Sequence, residues 1–200
     1  MPRTNLRFRV GTWLLPVMLL TSLSCTGTPS TGQPPSAGSP VNSGSPAPGD
    51  GPGRAVEIQG FEHINQGDPH PPYNSTPPTS GAHWSILGEA PVPWGIYRQP
   101  IPDEAQIHNL EHGGTMIQYN CRDCSDLVGQ LESFGSRYTA ANPLPRYPQS
   151  TKIVVAPYYD MPTRIALTAW GRIETMDAYD EARITRFVAA YRDNGPEAVP

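Results

Sequence analysis

The chain of 200 residues lacks a basic excess: 14 Lys and Arg stand against 18 Asp and Glu, for a formal charge of -4. Nucleic-acid binding calls for a basic stripe, so that class of partner is set aside. No apolar run reaches the roughly 20 residues of a spanning helix. No internal repeat is present, which removes solenoids and arrays. The G-x-S-x-G elbow of serine hydrolases is missing, since Ser80 sits in "TSGAH", and no phosphate-cradling glycine loop occurs. Cysteine is scarce, at 3 residues, whereas proline is abundant, at 25. The prolines therefore have to be located before the domain can be sized.

The N-terminus supplies the first positive signal. Arg3, Arg7 and Arg9 precede a short apolar core, Val10 to Leu23, which ends in small residues. This is the grammar of a secretory signal, residues 1–24. Ser24-Cys25 closes it and resembles a bacterial lipobox, with Leu23 two places before the cysteine rather than three. Cys25 is thus the expected lipidation point, and a membrane reached through that lipid is the expected partner. Residues 25–54 are Ser, Gly, Pro and Thr, with a single valine and no aromatic residue after Cys25. Such a segment cannot bury enough surface to offset its ordering entropy and is predicted to be a disordered tether. The layout of lipid, tether and one globular domain at 55–200 places the protein at the cell envelope, where an envelope protein partner is a further expectation.

Within the domain, residues 66–102 form a long Pro/Gly-rich loop region, with Trp94 to Tyr97 as its one short strand. "TMIQY" at 115–119 and "KIVVAPY" read as strands, and "RIALTAWG" alternates at Ile165, Leu167 and Ala169. The last two are joined by a turn-like "YDMPT", which predicts an antiparallel pair. "CSDLVGQLESFGSRYTA" has helical spacing at Leu127, Val128, Leu131 and Phe134, with Asp123 or Ser125 as cap. A second helix follows Asp177, buries Ile184, Phe187, Val188 and Tyr191, and stops at Gly195-Pro196. The class is α+β: a small antiparallel sheet with two helices packed on one face and a long Pro/Gly-rich N-terminal loop region.

All five histidines lie between His63 and His112. Singly, a loop histidine is usually a surface or hydrogen-bonding residue. As a cluster they point to a transition metal, since neutral imidazole is the commonest metal-ligating side chain. "HNLEHGG", residues 108–114, sets the geometry. On a helix, His108 and His112 share a face about 6 Å apart and chelate together. On a strand they lie about 13 Å apart, at about 3.3 Å per residue, and one ion cannot take both. Pro102, Asp103 and Glu104 favour a helix start and Gly113 its end, while Ile107, Leu110 and the following "GGTMIQY" keep a strand open.

"HNLEH" also fits H-x-x-E-H, the inverted zinc-protease motif, with Glu111 as base. Gly113-Gly114 stops the helix at once, however, and no distant acidic ligand stands out. "CRDC" holds Cys121 and Cys124; in an exported chain a local disulfide ranks first, then soft metal ligation, then redox work.

Five blocks, "PPTSGAHW", "GIYRQPIP", "HNLEHGGTMIQYNC", "IVVAPY" and "ALTAWG", occur in this order. They resemble the bacterial family catalogued as domain of unknown function 3105, over roughly residues 58 to 195. The resemblance implies an exported or membrane-tethered single domain and no assigned activity. Its pattern takes in His63, His83, His108, Glu111 and His112, together with Tyr97 and Trp170, and leaves out His70. Met116 stands where a branched aliphatic residue is expected, as core or as an added soft ligand.

The expected function is transition-metal binding, copper or zinc, through His83, His108 and His112 with His63 as fourth ligand. Glu111 is expected behind the metal, orienting one imidazole. Met116, Cys121 and Cys124 are the possible soft additions. A handling or partner-binding role is favoured over catalysis, because no separate acid or base is evident. A zinc hydrolase using Glu111 as base and a metal-free interaction module are the alternatives.

Overall fold

Among the described residues, the apolar runs at 153–156 and 165–167 become inner strands of one sheet. The computed structural model describes residues 51–200; the expected signal segment 1–24, Cys25 and most of the expected tether 25–54 lie outside the described residues. The elements in chain order are β1 (Arg54–Ala55), β2 (His63–Ile64), β3 (His83–Trp84), β4 (Gly95–Ile96), α1 (Asp103–Glu111), β5 (Thr115–Tyr119), α2 (Ser125–Ala141), β6 (Ile153–Pro157), β7 (Ile165–Ala169), β8 (Arg172–Met176) and α3 (Glu181–Tyr191). The domain is α+β, with three helices and a six-stranded sheet ordered β1-β8-β7-β5-β6-β4. β2 and β3 form a separate parallel pair.

The sheet is mixed, which corrects the expected antiparallel one. β5 lies between β6 and β7, parallel to the first and antiparallel to the second, so β6 and β7 do not pair. The reason is the connection. α2, 17 residues long, spans the crossover that a parallel β5–β6 neighbour requires, whereas a tight turn permits only antiparallel return. β7 and β8 do form such a hairpin, with Ala169 opposite Arg172 across Trp170-Gly171 and Gly171 at φ +65°.

Strand alternation divides the core. Ile117, Tyr119, Ile153 and Val155 face one side, where Leu131 and Phe134 of α2 and Ile184, Phe187 and Val188 of α3 pack against them. Met116, Val154 and Ala156 face the other side, against Ala105 and Leu110 of α1 and the tryptophans Trp84, Trp94 and Trp170. Each fully buried Ile, Leu or Phe contributes roughly 1.5–3 kcal/mol relative to exposure. α3 starts at Asp180, whose carboxylate accepts from the Arg183 amide at 3.0 Å, three residues after the expected cap.

α1 is buried on almost all sides, polar residues included. Its buried amides are answered by specific partners. Asn109 pairs with both backbone groups of Val92, at 3.0 and 2.7 Å, which pins the proline-rich loop to the helix. Gln106 accepts from Gln118 of β5 at 2.6 Å, which ties the helix to the sheet. These bonds matter because an unpaired buried amide costs about 1–3 kcal/mol. Among the described residues, no helix is long and apolar enough to cross a membrane.

Candidate metal centre

Residues 108–111 are helical, and His112 is the C-cap of α1. Gly113, the first glycine after it, has two functions. Gly113 takes φ +77°, which ends the helix in the left-handed region. A Cβ there would stand 3.0 Å from the backbone of Asp193 and Asn194, so the bare glycine also admits the C-terminal segment. Asp193 N donates to Gly113 O at 2.8 Å and Glu197 N to Glu111 O at 3.1 Å, which lays that segment across the helix end.

Lys152, the only lysine of the chain, fixes the same corner. It is fully buried, and its ammonium donates to the His112 carbonyl at 2.8 Å and to Asp193 Oδ1 at 2.6 Å. A cation at a helix C-terminus meets unpaired carbonyls and the negative end of the dipole, which compensates part of its burial.

The proline-rich loop brings in the other histidines. β2 and β3 pair in parallel with His63 directly opposite His83, and their rings stand 4.8 Å apart edge to face. His83 is fully buried, with the edge of Trp170 beside it at 6.3 Å. His63, His83, His108 and Glu111 then form a group whose potential ligand atoms all lie within 4.8 Å of one another, and the group can hold a metal ion.

Backbone carbonyls hold the Nδ1 side of two of these rings. His83 Nδ1 is 2.8 Å from Gly81 O and His108 Nδ1 is 2.6 Å from Trp84 O. A carbonyl only accepts, so each Nδ1 carries the proton and donates it. Both Nε2 atoms point into the cluster, and each is a free lone pair when its ring is neutral. This is the arrangement in which an outer hydrogen bond fixes the tautomer and aim of a metal-ligating histidine. Burial pushes the His108 pKa down to about 4, against the Trp84 carbonyl, with His112, His83 and His63 adding to the fall. The ring is therefore neutral and ligand-competent at neutral pH.

Glu111 is 3% exposed, and its Oε2 stands 2.9 Å from His83 Nε2 and 3.2 Å from His63 Nε2. Its carboxylate sits among the imidazole nitrogens rather than behind one of them. Between a carboxylate oxygen and a bare Nε2 only a proton or another cation makes the contact favourable.

His112 holds a bordering place. Its Nε2 is 3.0 Å from His108 Nε2 and 3.2 Å from Glu197 Oε2. Burial lowers its pKa, while Glu197 and Glu111 oppose the fall. Glu197 escapes sequence reasoning: it lies beyond the last helix, and only the three-dimensional return of the tail brings it to His112. The Gly195-Pro196 stop was its one local hint.

The remaining candidates lie apart from this group. His70 pairs with Pro71 O and Glu104, at 2.9 and 3.3 Å. Met116 is fully buried in the apolar layer with Leu110 and Val154. Cys121 and Cys124 stand at disulfide distance, Cα to Cα 6.0 Å, at the start of α2. Tyr97 donates its hydroxyl to Pro93 O at 2.6 Å.

No curated protein and no solved structure matches the chain. A family match covers residues 66–199, which takes in His83, His108, Glu111, His112 and Glu197 and begins three residues after His63. The chain therefore belongs to the family described as "Protein of unknown function (DUF3105)".

Proposed function

We propose that this protein is an exported, lipid-anchored, transition-metal-binding domain of the bacterial cell envelope, which holds copper or zinc for handling or for presentation to a partner. One observation supports the reading: the Nε2 atoms of His63, His83 and His108 and a Glu111 oxygen converge within 4.8 Å, with the Nδ1 atoms of His83 and His108 each held by a backbone carbonyl. Three imidazoles and one carboxylate make a borderline to hard donor set. It suits zinc or copper(II) better than copper(I), which prefers sulfur. The sulfur atoms support that choice, since Met116 is in the apolar layer and the two cysteines face each other. His63, at 44% side-chain exposure, is the edge at which an ion exchanges with solvent or a partner.

A hydrolase using Glu111 as free base is less favoured, because His63 and His83 both engage its Oε2. The test is metal analysis of purified wild type, His83→Ala and His108→Ala. The expected result is about one or more equivalents of zinc or copper in the wild type and a loss of at least tenfold in affinity in each variant. Equal metal content in all three proteins refutes the reading. For the envelope part, membrane fractionation of wild type and Cys25→Ala is decisive: the variant is expected to leave the membrane fraction.

A further inference from the structure

We infer that the centre has a second divalent-cation position, built by Glu111, His112 and Glu197, which shares the Glu111 carboxylate with the first. The inference rests on the metal-binding reading above and extends it from one ion to two.

The ligand atoms of these three residues also lie within 4.8 Å of one another, and Glu111 belongs to both groups. A carboxylate has two oxygens and about four lone-pair sites, so it can serve an ion on each side. The proton count favours this. His108 has committed its Nδ1 proton to Trp84, so its Nε2 only accepts. His112 Nε2 carries one proton at most, yet it faces two acceptors, His108 Nε2 at 3.0 Å and Glu197 Oε2 at 3.2 Å. One hydrogen cannot satisfy both, whereas a cation on the His112 side and another on the His108 side satisfy all three groups.

Spacing agrees. Imidazole binds zinc at about 2.0–2.1 Å. Two-metal sites hold their ions about 3.5–4 Å apart, and here the two ligand groups meet at one carboxylate, with His108 Nε2 and His112 Nε2 3.0 Å apart. The nearby ammonium of Lys152 disfavours positive charge at His112, and Asp193 Oδ1, 2.6 Å from that ammonium, offsets part of the repulsion.

The two positions differ in kind. The first has four protein donors and is closed. The second has three, and its His112 and Glu197 side chains are 15% and 44% exposed. That leaves it an open place for water or a small oxygen-donor ligand. The C-terminal segment, held by Glu197 N on Glu111 O at 3.1 Å, supplies the third donor.

The experiment is a zinc titration of the full chain, desalted and counted by native mass spectrometry, for wild type and Glu197→Gln. Two zinc ions per chain in the wild type and one in Glu197→Gln are expected, with the affinity of the remaining ion changed less than about threefold. One zinc in the wild type, unchanged in Glu197→Gln, overturns the second position and leaves the first standing. Two zinc ions in both proteins also overturn it, because the second ion then sits elsewhere. Zero in the wild type overturns the metal reading itself. Cobalt(II) gives an independent readout: the wild type should show a spin-coupled pair in electron paramagnetic resonance, and Glu197→Gln an isolated high-spin ion. Uncoupled cobalt in the doubly loaded wild type refutes the shared Glu111.

Discussion

Glu111→Gln separates a ligand role for this side chain from a merely structural one, because the two predict opposite outcomes in the presence and absence of metal. Glu111 is the only carboxylate in the group of four and is 3% exposed. In metal-free protein the change should cost little. A glutamine keeps the size of the side chain, and its amide can donate to or accept from His83 Nε2, 2.9 Å away in the wild type, whichever way that nitrogen is protonated. The melting temperature should stay within about 2–4 °C, the equivalent of 1 kcal/mol for a domain of this size. With zinc at one hundred times its dissociation constant, the wild type gains about 2.7 kcal/mol, or roughly 5–11 °C. Loss of an outer partner already lowers metal affinity about 10–100-fold. Taking 100-fold for the loss of the charged ligand itself, the same zinc concentration only equals the new dissociation constant. The gain then falls to about 0.4 kcal/mol, or about 1–2 °C. Differential scanning calorimetry with and without zinc measures both numbers. A zinc-induced shift in Glu111→Gln equal to that of the wild type would refute Glu111 as a ligand.

Other consequences follow from the frame around the site. Lys152→Ala removes one partner of a buried ion pair and the donor to the His112 carbonyl. It should cost about 3 kcal/mol, the low end for a broken buried pair because Asp193 keeps 23% exposure; urea unfolding checks it. Burial raises the Asp103 carboxyl above its ordinary 3.8, against hydrogen bonds from Tyr158 and Gln106. The folded protein then holds this proton to higher pH than the unfolded chain, so stability should fall relative to Asp103→Asn as pH rises through the carboxylate range. A pH series of melting temperatures that rises for wild type relative to the variant would contradict this. Replacing Cys121 and Cys124 together by serine opens a very short loop and should cost about 2 kcal/mol by chain entropy. Zinc stoichiometry should not change, and a loss of metal would mean that the thiols take part in binding.

Much of the fold was legible because its signals are local. β5, β6, β7, α2 and α3 carry apolar periodicity in their own residues, and the structure places them where that periodicity does. α1 has almost none. It is buried around most of its circumference, and Gln106 and Asn109 point inward to named partners, so no apolar stripe marks it. Its caps alone favoured a helix, and they left a strand open. β8 was not expected, because Arg172 and Glu174 break the look of a strand; Glu174 is answered by Arg183 of α3 at 2.7 Å, which no local pattern reveals. Strand order was hidden for the same reason: pairing depends on how connections pack, and α2 made parallel neighbours of strands that a turn would have set antiparallel. At the site, the clustering of histidines in sequence reflects real proximity, since β2 and β3 set His63 against His83 and α1 presents His108 beside them. The place of Glu111 among the nitrogens, and the arrival of Glu197 from the tail, depend on side-chain direction and on a chain return that only the folded molecule displays.

The most direct test of the metal centre is a crystal of zinc-soaked protein with data collected at the zinc absorption edge. The expected result is an anomalous peak within about 2.0–2.2 Å of His63 Nε2, His83 Nε2, His108 Nε2 and a Glu111 oxygen. An anomalous map with no peak among these four side chains, from protein that is folded and zinc-saturated in solution, would contradict it.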